Sequence, residues 1–464
     1  MRTRQRKNIN KGTEKVALFF LFAVLWASSP LLAIQDFYRI ELNGSTSFYF
    51  DGKPEVPLIL FEEGISTRDA VNFSNIGFKA YSCIKKNYFL DLGWIGPNTY
   101  SFTNLDIILT NFNVDLPPGH YLMPRIHVWA PYWWCQANPN EQIAYLDPPA
   151  NPNYLPGDGT IHESFASVLW KQQAGEALRA NIQHILAGPY ADRIMGIHIA
   201  GGLYGEWHTY SASNLPDVSA PMLTYFRSYL QSKYNGDVEA LRAAWNWPYV
   251  TFETAPFPTK AELTTPTLGV FRYARNVTDY YEAFHQATVD AIDYFCGIVK
   301  QETNGKWLAC ALYGYEPDLP SYPQVIDHRA AAKMHRLPNV DLVSAPHSYH
   351  SRFLGGHGQL RNFPESLRLH NKLFIDEADE RTHLAPPGTS CVYATNLQES
   401  LSVLNRSFGN MVTTGCGMWY MDHSSGFWYN DPTIMSNFGN IKRWADASQF
   451  LPRTRLSEVA VITS

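Results

Sequence analysis

The sequence is short of the features that mark several common classes of protein. Its six cysteines, Cys83, Cys135, Cys296, Cys310, Cys391 and Cys416, stand far apart with no C-x-x-C pair, which argues against a zinc site. Cys83, Cys310 and Cys416 sit in strand-like apolar runs, where a buried thiol is the commoner state, so at most one disulfide is expected. No Gly-rich phosphate turn follows the first apolar run, and the signature of a dinucleotide-binding sheet is therefore missing. No repeat, low-complexity tract or Pro/Ser-rich linker divides residues 36–450. Positive charge is scarce in the body of the chain. Six of the 37 basic and one of the 42 acidic side chains fall within residues 1–33, leaving 31 against 41 and a net of −10. That charge opposes nucleic acid and anionic lipid as partners.

The basic residues gather at the start instead. Arg2, Arg4, Arg6, Lys7, Lys11 and Lys15 precede an apolar stretch, Val16 to Ala33, interrupted by Ser28, Ser29 and Pro30. This is the layout of an export signal, with Ala33 at the cleavage position. Its 18 residues are short for a membrane span. A cleaved signal over residues 1–33 is expected rather than an anchor, and in either case a periplasmic or extracellular location for the remainder. At the other end SEVAVITS reads as the first strand of another unit, so residues 451–464 are expected to be a linker and the start of a truncated second domain.

Between these ends, eight short apolar runs alternate with longer helical patterns: VPLILFE, FKAYSCI, HYLMPRIHVW, RIMGIHIAG, WLACALYG, VDLVSAP, KLFIDE and CGMWYMD. TRDAVNFSNI, SFASVLWKQQAGEALRANIQHIL, APMLTYFRSYLQSKY and the stretch from about Phe271 to Lys300 read as helices. Eight βα units predict an α/β fold, a (β/α)8 TIM barrel, over an open doubly wound sheet. YRIELNG and TSFYFDGKP predict a small N-terminal β-hairpin with Asn-Gly and Asp-Gly turns. Long strand-to-helix loops are expected from Ala130 to Glu163 and from Leu203 to Ala220, with an insertion from Asn246 to Thr265. Loops of that length in a compact domain are usually functional.

Two runs lead into a glutamate: MGIHIAGGLYGEWH into Glu206, and KLFIDEADERTH into Glu377. Barrel enzymes carry their sites at the C-terminal face of the strands, and a pair of carboxylates is the minimum equipment for cleaving a glycosidic bond. Gly201, Gly202 and Gly205 allow tight turns before Glu206, and Trp207 and His208 promise an aromatic wall and a hydrogen-bond partner. Partial desolvation there is expected to raise the pKa of Glu206, as a general acid requires. Strand alternation separates Asp376 and Phe374 from Glu377, Ile375 and Leu373. Asp379 and Arg381 read as an ion pair or supporting contact. Arg125 and His127 in the third run, Tyr313 and Tyr315 after the fifth, His347, Tyr349 and Arg352 after the sixth, and Trp419, Tyr420 and Asp422 in the eighth all fall where a strand meets its loop. For each of these, ligand contact and a packed structural role stand level. The 13 Trp, 27 Tyr and 26 Phe suit sugar rings, whose apolar faces stack on aromatics, although large cores consume aromatics too.

The order of glutamates at the fourth and seventh strands resembles clan A of the retaining glycoside hydrolases. FYFDGKPEVPLIL, TYFRSYLQSKYNGDVEALRAAWN and VDLVSAPHSY are similar to stretches of the family 42 β-galactosidases. The resemblance covers roughly residues 45–450 and makes SEVAVITS the start of that family's flavodoxin-like second domain. It implies Glu206 as acid/base, Glu377 as nucleophile and Arg125 as the substrate-binding arginine. Two departures stand out: Gly205 replaces the asparagine that precedes the acid/base and contacts the sugar 2-hydroxyl, and the family's cysteine-rich zinc cluster is missing. The expected activity is a secreted retaining β-glycosidase on β-galactosides or related β-glycosides, with Trp207, His208, Tyr313, His347, Tyr349, Trp419 and Asp422 beside Arg125 as substrate-binding candidates. No cofactor and no metal are expected; a homo-oligomer is left open. The alternatives are an endo-acting polysaccharide hydrolase of the same clan and a catalytically inactive carbohydrate-binding barrel. Two opposed carboxylates argue against the last.

Overall fold

All eight apolar runs become strands of one closed parallel barrel. A computed structural model describes residues 37–63, 67–84, 89–264, 274–315, 328–389, 391, 394–422 and 427–453, so the expected signal segment and the SEVAVITS run lie outside it. The barrel strands, one to eight, are Leu58–Glu63, Ala80–Ile84, Tyr121–His127, Gly196–Ala200, Leu308–Leu312, Leu342–Pro346, Leu373–Ala378 and Gly417–Asp422. Each pairs with the next and the eighth returns to the first. Strands in such a barrel are covered on both faces, by the interior and by the surrounding helices, which is why the runs are continuously apolar rather than alternating. Every residue of strands three to eight is buried.

The helices form the outer layer. Val168–Ala187 packs along Arg275–Glu302, and Leu397–Thr414 along Pro432–Ser448. The first starts four residues later than the pattern suggests, because Ser167 caps it by accepting from the Trp170 N–H. Ser164, read as helical from sequence, instead donates to Asp217 at 2.5 Å. A second apolar core lies to one side, where Ala220–Lys233, Val238–Trp245 and the first half of Arg275–Glu302 bury Phe226, Leu230, Leu241 and Tyr280.

The N-terminal hairpin proves to be a three-stranded antiparallel sheet, Tyr38–Leu42, Ser45–Phe50 and Lys53–Glu55. Its two turns place Asn43-Gly44 and Asp51-Gly52 at positive φ, the conformation that two-residue hairpin loops need. Phe37 and Phe50 pack on Tyr121, the first residue of strand three, at 4.9 and 5.0 Å between rings. The sheet thus covers the N-terminal end of the barrel and leaves the C-terminal end to the long loops. All six cysteines are free, five of them buried. No helix among the described residues is long and apolar enough to cross a membrane.

Candidate active site

Strand register positions Glu377. Pro346, Glu377 and Trp419 stand side by side on strands six, seven and eight. The Trp419 indole donates from Nε1 to Glu377 Oε2 at 2.9 Å, and both residues are buried. Trp419 in turn packs over Phe61 of strand one, with ring centres 5.3 Å apart. Asp376 points the other way, as alternation requires, and meets His347 Nδ1 at 3.1 Å.

Glu206 arrives differently. Strand four stops at Ala200, and the glutamate belongs to a loop that folds back on itself rather than to a strand tip. The Trp207 N–H donates to the Gly201 carbonyl at 2.7 Å and the Leu203 N–H to that of His208 at 2.9 Å. Gly205 sits at φ +76°, and a Cβ there would lie 2.4 Å from His127 Nε2 and 2.9 Å from Arg125 Nη2. The loop therefore closes directly onto strand three, and only glycine fits before Glu206. Tyr315 donates its hydroxyl to Glu206 Oε2 at 2.6 Å, and His208 Nε2 stands 3.5 Å from the same oxygen. The Glu206 side chain keeps 26% of its surface exposed, whereas Glu377 keeps 4%.

The two carboxylates feel each other. Burial, together with the charge of Glu206, pushes Glu377 up to about 7. Burial acts upward on Glu206 as well, but the His208 contact, the Tyr315 hydroxyl and the Arg125 charge outweigh it and hold Glu206 below its ordinary value. The expected upward shift of Glu206 is thus reversed. Desolvation is present as anticipated, yet donors from two other segments overcome it. Of the two carboxylates, Glu377 is therefore the one that holds a proton to higher pH.

The remaining candidates divide. Arg125 is buried on strand three, donates to the Tyr204 carbonyl at 3.0 Å, and lowers both glutamates. His208 and Trp419 touch the pair directly. Tyr349 lies at its edge: its hydroxyl donates to Asp379 at 2.9 Å and the Arg352 guanidinium covers its ring at 3.6 Å. Asp379 ion-pairs with Arg352 and Arg381, the supporting role expected for it. Trp207 is not the wall suggested for it. At φ +61° its side chain turns inward, its indole donates to the Ile199 carbonyl at 3.1 Å, and 1% of it is exposed. Tyr313 is likewise fully buried, its hydroxyl accepting the Ala330 N–H at 2.9 Å, and Tyr315 takes the place by Glu206. His347 lies between Asp376 and Glu380 beneath the site, at 3.1 and 3.2 Å. Burial opposes its protonation, but the two carboxylates win and raise its pKa. Asp422 gathers with Glu62 and Asp69, their oxygens within 4.8 Å of one another. That trio has the oxygen ligands a hard cation favours.

Two neighbours carried no sequence signal. His328 stacks on Tyr313 at 4.2 Å and on His208 at 4.6 Å, and so braces the ring beside Glu206. Arg361 lies 5.3 Å from the Tyr315 ring and 5.0 Å from that of Tyr349. Both come from loops beyond their strands, where no periodicity marks an inward position.

No protein-family model and no curated protein matches the sequence. Solved structures do. The catalytic domain of a β-amylase from Paenibacillus polymyxa superposes with a TM-score of 0.60 at 13% identity, over 83% of this chain and 97% of that one. A β-galactosidase from the psychrophilic Marinomonas ef1 gives 0.57 at 14% over 84% of this chain, and an agarase 0.55 at 11% over 90%. The chain spans 61% of that β-galactosidase and 66% of that agarase. At these identities the shared property is the barrel, and the particular family 42 resemblance is carried no further than that.

Proposed function

We propose that this chain is a retaining β-glycosidase acting on β-galactosides or related β-glycosides. The observation that carries the reading is the placement of two carboxylates at the C-terminal mouth of the barrel, Glu377 at the end of strand seven beside Trp419 and Glu206 on the loop after strand four beside Tyr315. In the first step a Glu377 carboxylate oxygen bonds to the anomeric carbon. The bond to the leaving-group oxygen breaks, and that oxygen takes the proton of Glu206. In the second step Glu206 removes a proton from water, whose oxygen displaces Glu377 and regenerates the carboxylate with net retention.

These steps need a proton on Glu206 when the sugar is in place. A leaving-group oxygen beside Glu206 favours that protonation, and so does positive charge developing on the sugar next to Glu377. The opposite directions of the two shifts, Glu377 raised and Glu206 lowered, favour the reverse assignment, with Glu206 as nucleophile and Glu377 as acid. A 2-fluoroglycoside that traps the intermediate separates the two: the label is expected on Glu377, and a label on Glu206 exchanges the roles. Inverted product and no trapped species would reject retention altogether. The β-amylase, β-galactosidase and agarase likenesses support a carbohydrate substrate, and the amino-terminal pattern supports export.

A further inference from the structure

Tyr204 is two residues from Glu206, and its ring stays out of the packed core. It adopts φ +56°, a left-handed conformation that is unfavourable for a bulky residue. Both of its backbone groups are fixed there: its N–H donates to the Gly157 carbonyl at 2.7 Å, and its carbonyl accepts from Arg125 at 3.0 Å. The ring is left 53% exposed. Gly157 is itself pinned, since a Cβ on it would lie 2.6 Å from the Trp129 ring, and the Trp129 indole donates to the Gly202 carbonyl at 2.9 Å. Tyr204 therefore rides on a rigid assembly that includes the Glu206 loop.

Two further exposed apolar side chains come from the segments around that assembly. Leu155, two residues before Gly157, is 50% exposed, and Tyr132, whose ring lies 5.3 Å from that of Tyr154, is 44% exposed. An aromatic ring left in water at a strained backbone position two residues from a carboxylate, with further exposed apolar side chains on neighbouring segments, fits a ligand with apolar faces. Sugar rings have such faces, and aromatic side chains bind them by stacking.

We propose that Tyr204, with Leu155 and Tyr132 beyond it, binds the sugar units on the leaving-group side of the scissile bond, which makes the natural substrate an oligo- or polysaccharide. The assignment rests on Glu206 being the acid/base, because the group that protonates the leaving oxygen marks the side on which the leaving sugar lies.

The test compares a β-glycosyl fluoride, whose leaving group is too small to reach the track, with oligosaccharides of the same terminal sugar. A panel of β-galactosyl, β-glucosyl and β-fucosyl fluorides finds that sugar. For Tyr204→Ala the ratio of kcat/KM on oligosaccharide to kcat/KM on fluoride should fall about tenfold, mostly through KM. Tyr204→Phe, which keeps the ring, should restore it. A ratio within twofold of the unsubstituted protein overturns the track, whether both substrates suffer equally or neither does. An unsubstituted protein inert to every fluoride overturns the glycosidase reading, and the track falls with it.

Discussion

Two buried acidic sites in this molecule are built on opposite plans. In the helical side core Asp279, with none of its side chain exposed, accepts from Lys233 at 2.8 Å, Arg275 at 3.0 Å, Tyr234 at 2.6 Å and Trp245 at 2.8 Å. Two cations and two neutral donors leave it nothing further to bind. At the barrel mouth Glu377 has, among the described residues, one hydrogen-bond donor, the Trp419 indole, and feels the charge of Glu206 against those of Arg125 and Arg352. Asp279 ties three helices together; Glu377 is held in place while its charge is left poorly compensated. A buried acid fully surrounded by donors serves the fold, and one with few of them is the kind of perturbed group that catalytic sites use.

The largest expected effect follows from that deprivation. Glu377→Gln should lower turnover by about 10^4-fold or more with every substrate, because no leaving group compensates for a missing nucleophile. Steady-state rates on aryl glycosides and fluorides check it; substantial activity on either would transfer the role to another carboxylate. Glu206→Ala should lose roughly 10^2–10^4-fold on substrates with poor leaving groups and much less on activated phenols. Added azide should accelerate the second step, which no longer has a base. If azide has no effect and both substrates suffer equally, Glu206 is not the acid/base.

The same contrast predicts stability changes of opposite sign. Asp279→Ala takes the acceptor from Tyr234 and Trp245 and leaves Lys233 with Glu282 as its acidic partner, and should cost about 1–3 kcal/mol in denaturant titrations. Glu377→Gln should stabilise. With a carboxyl raised from 4.5 to about 7, the folded state binds the proton more tightly than the unfolded state. Stability is therefore lost as pH rises from about 4.5 to 7. At pH 8 the glutamine variant should be more stable by up to about 3 kcal/mol, and at pH 4 the gain should vanish. A glutamine variant that destabilises equally at both pH values would break the comparison.

Legibility in the sequence followed the same divide between regular and irregular backbone. The eight strands were readable because burial on both faces leaves continuous apolar runs, and strict alternation correctly turned Asp376 away from Glu377. Glu206 was readable as a motif, but its position in a back-folded loop was not. Beyond a strand end the period is lost, and a single positive φ decides where a ring goes. That is how Trp207 came to be read as a wall and is instead buried, and why Tyr315 rather than Tyr313 meets Glu206. The direction of the Glu206 shift was hidden because one donor that sets it lies 109 residues away.

The smallest expected effect concerns that donor. The active form of the pair carries one proton, so kcat/KM should trace a bell. Its alkaline limb lies near 7, where Glu377 gives up the last proton. Its acid limb lies below the ordinary carboxylate value of 4.5, where the second proton binds to the depressed Glu206. Tyr315→Phe removes the hydroxyl that stabilises ionised Glu206 and leaves burial unopposed at that contact. A hydrogen bond to a charged group is worth about 1.5–3 kcal/mol, or roughly 1–2 pH units. The acid limb should therefore move up by at least about one unit while the alkaline limb stays near 7, narrowing the bell from one side. A bell that shifts as a whole would mean that Tyr315 acts on both carboxylates alike. An acid limb that does not move would mean that His208 and Arg125 alone hold Glu206 down.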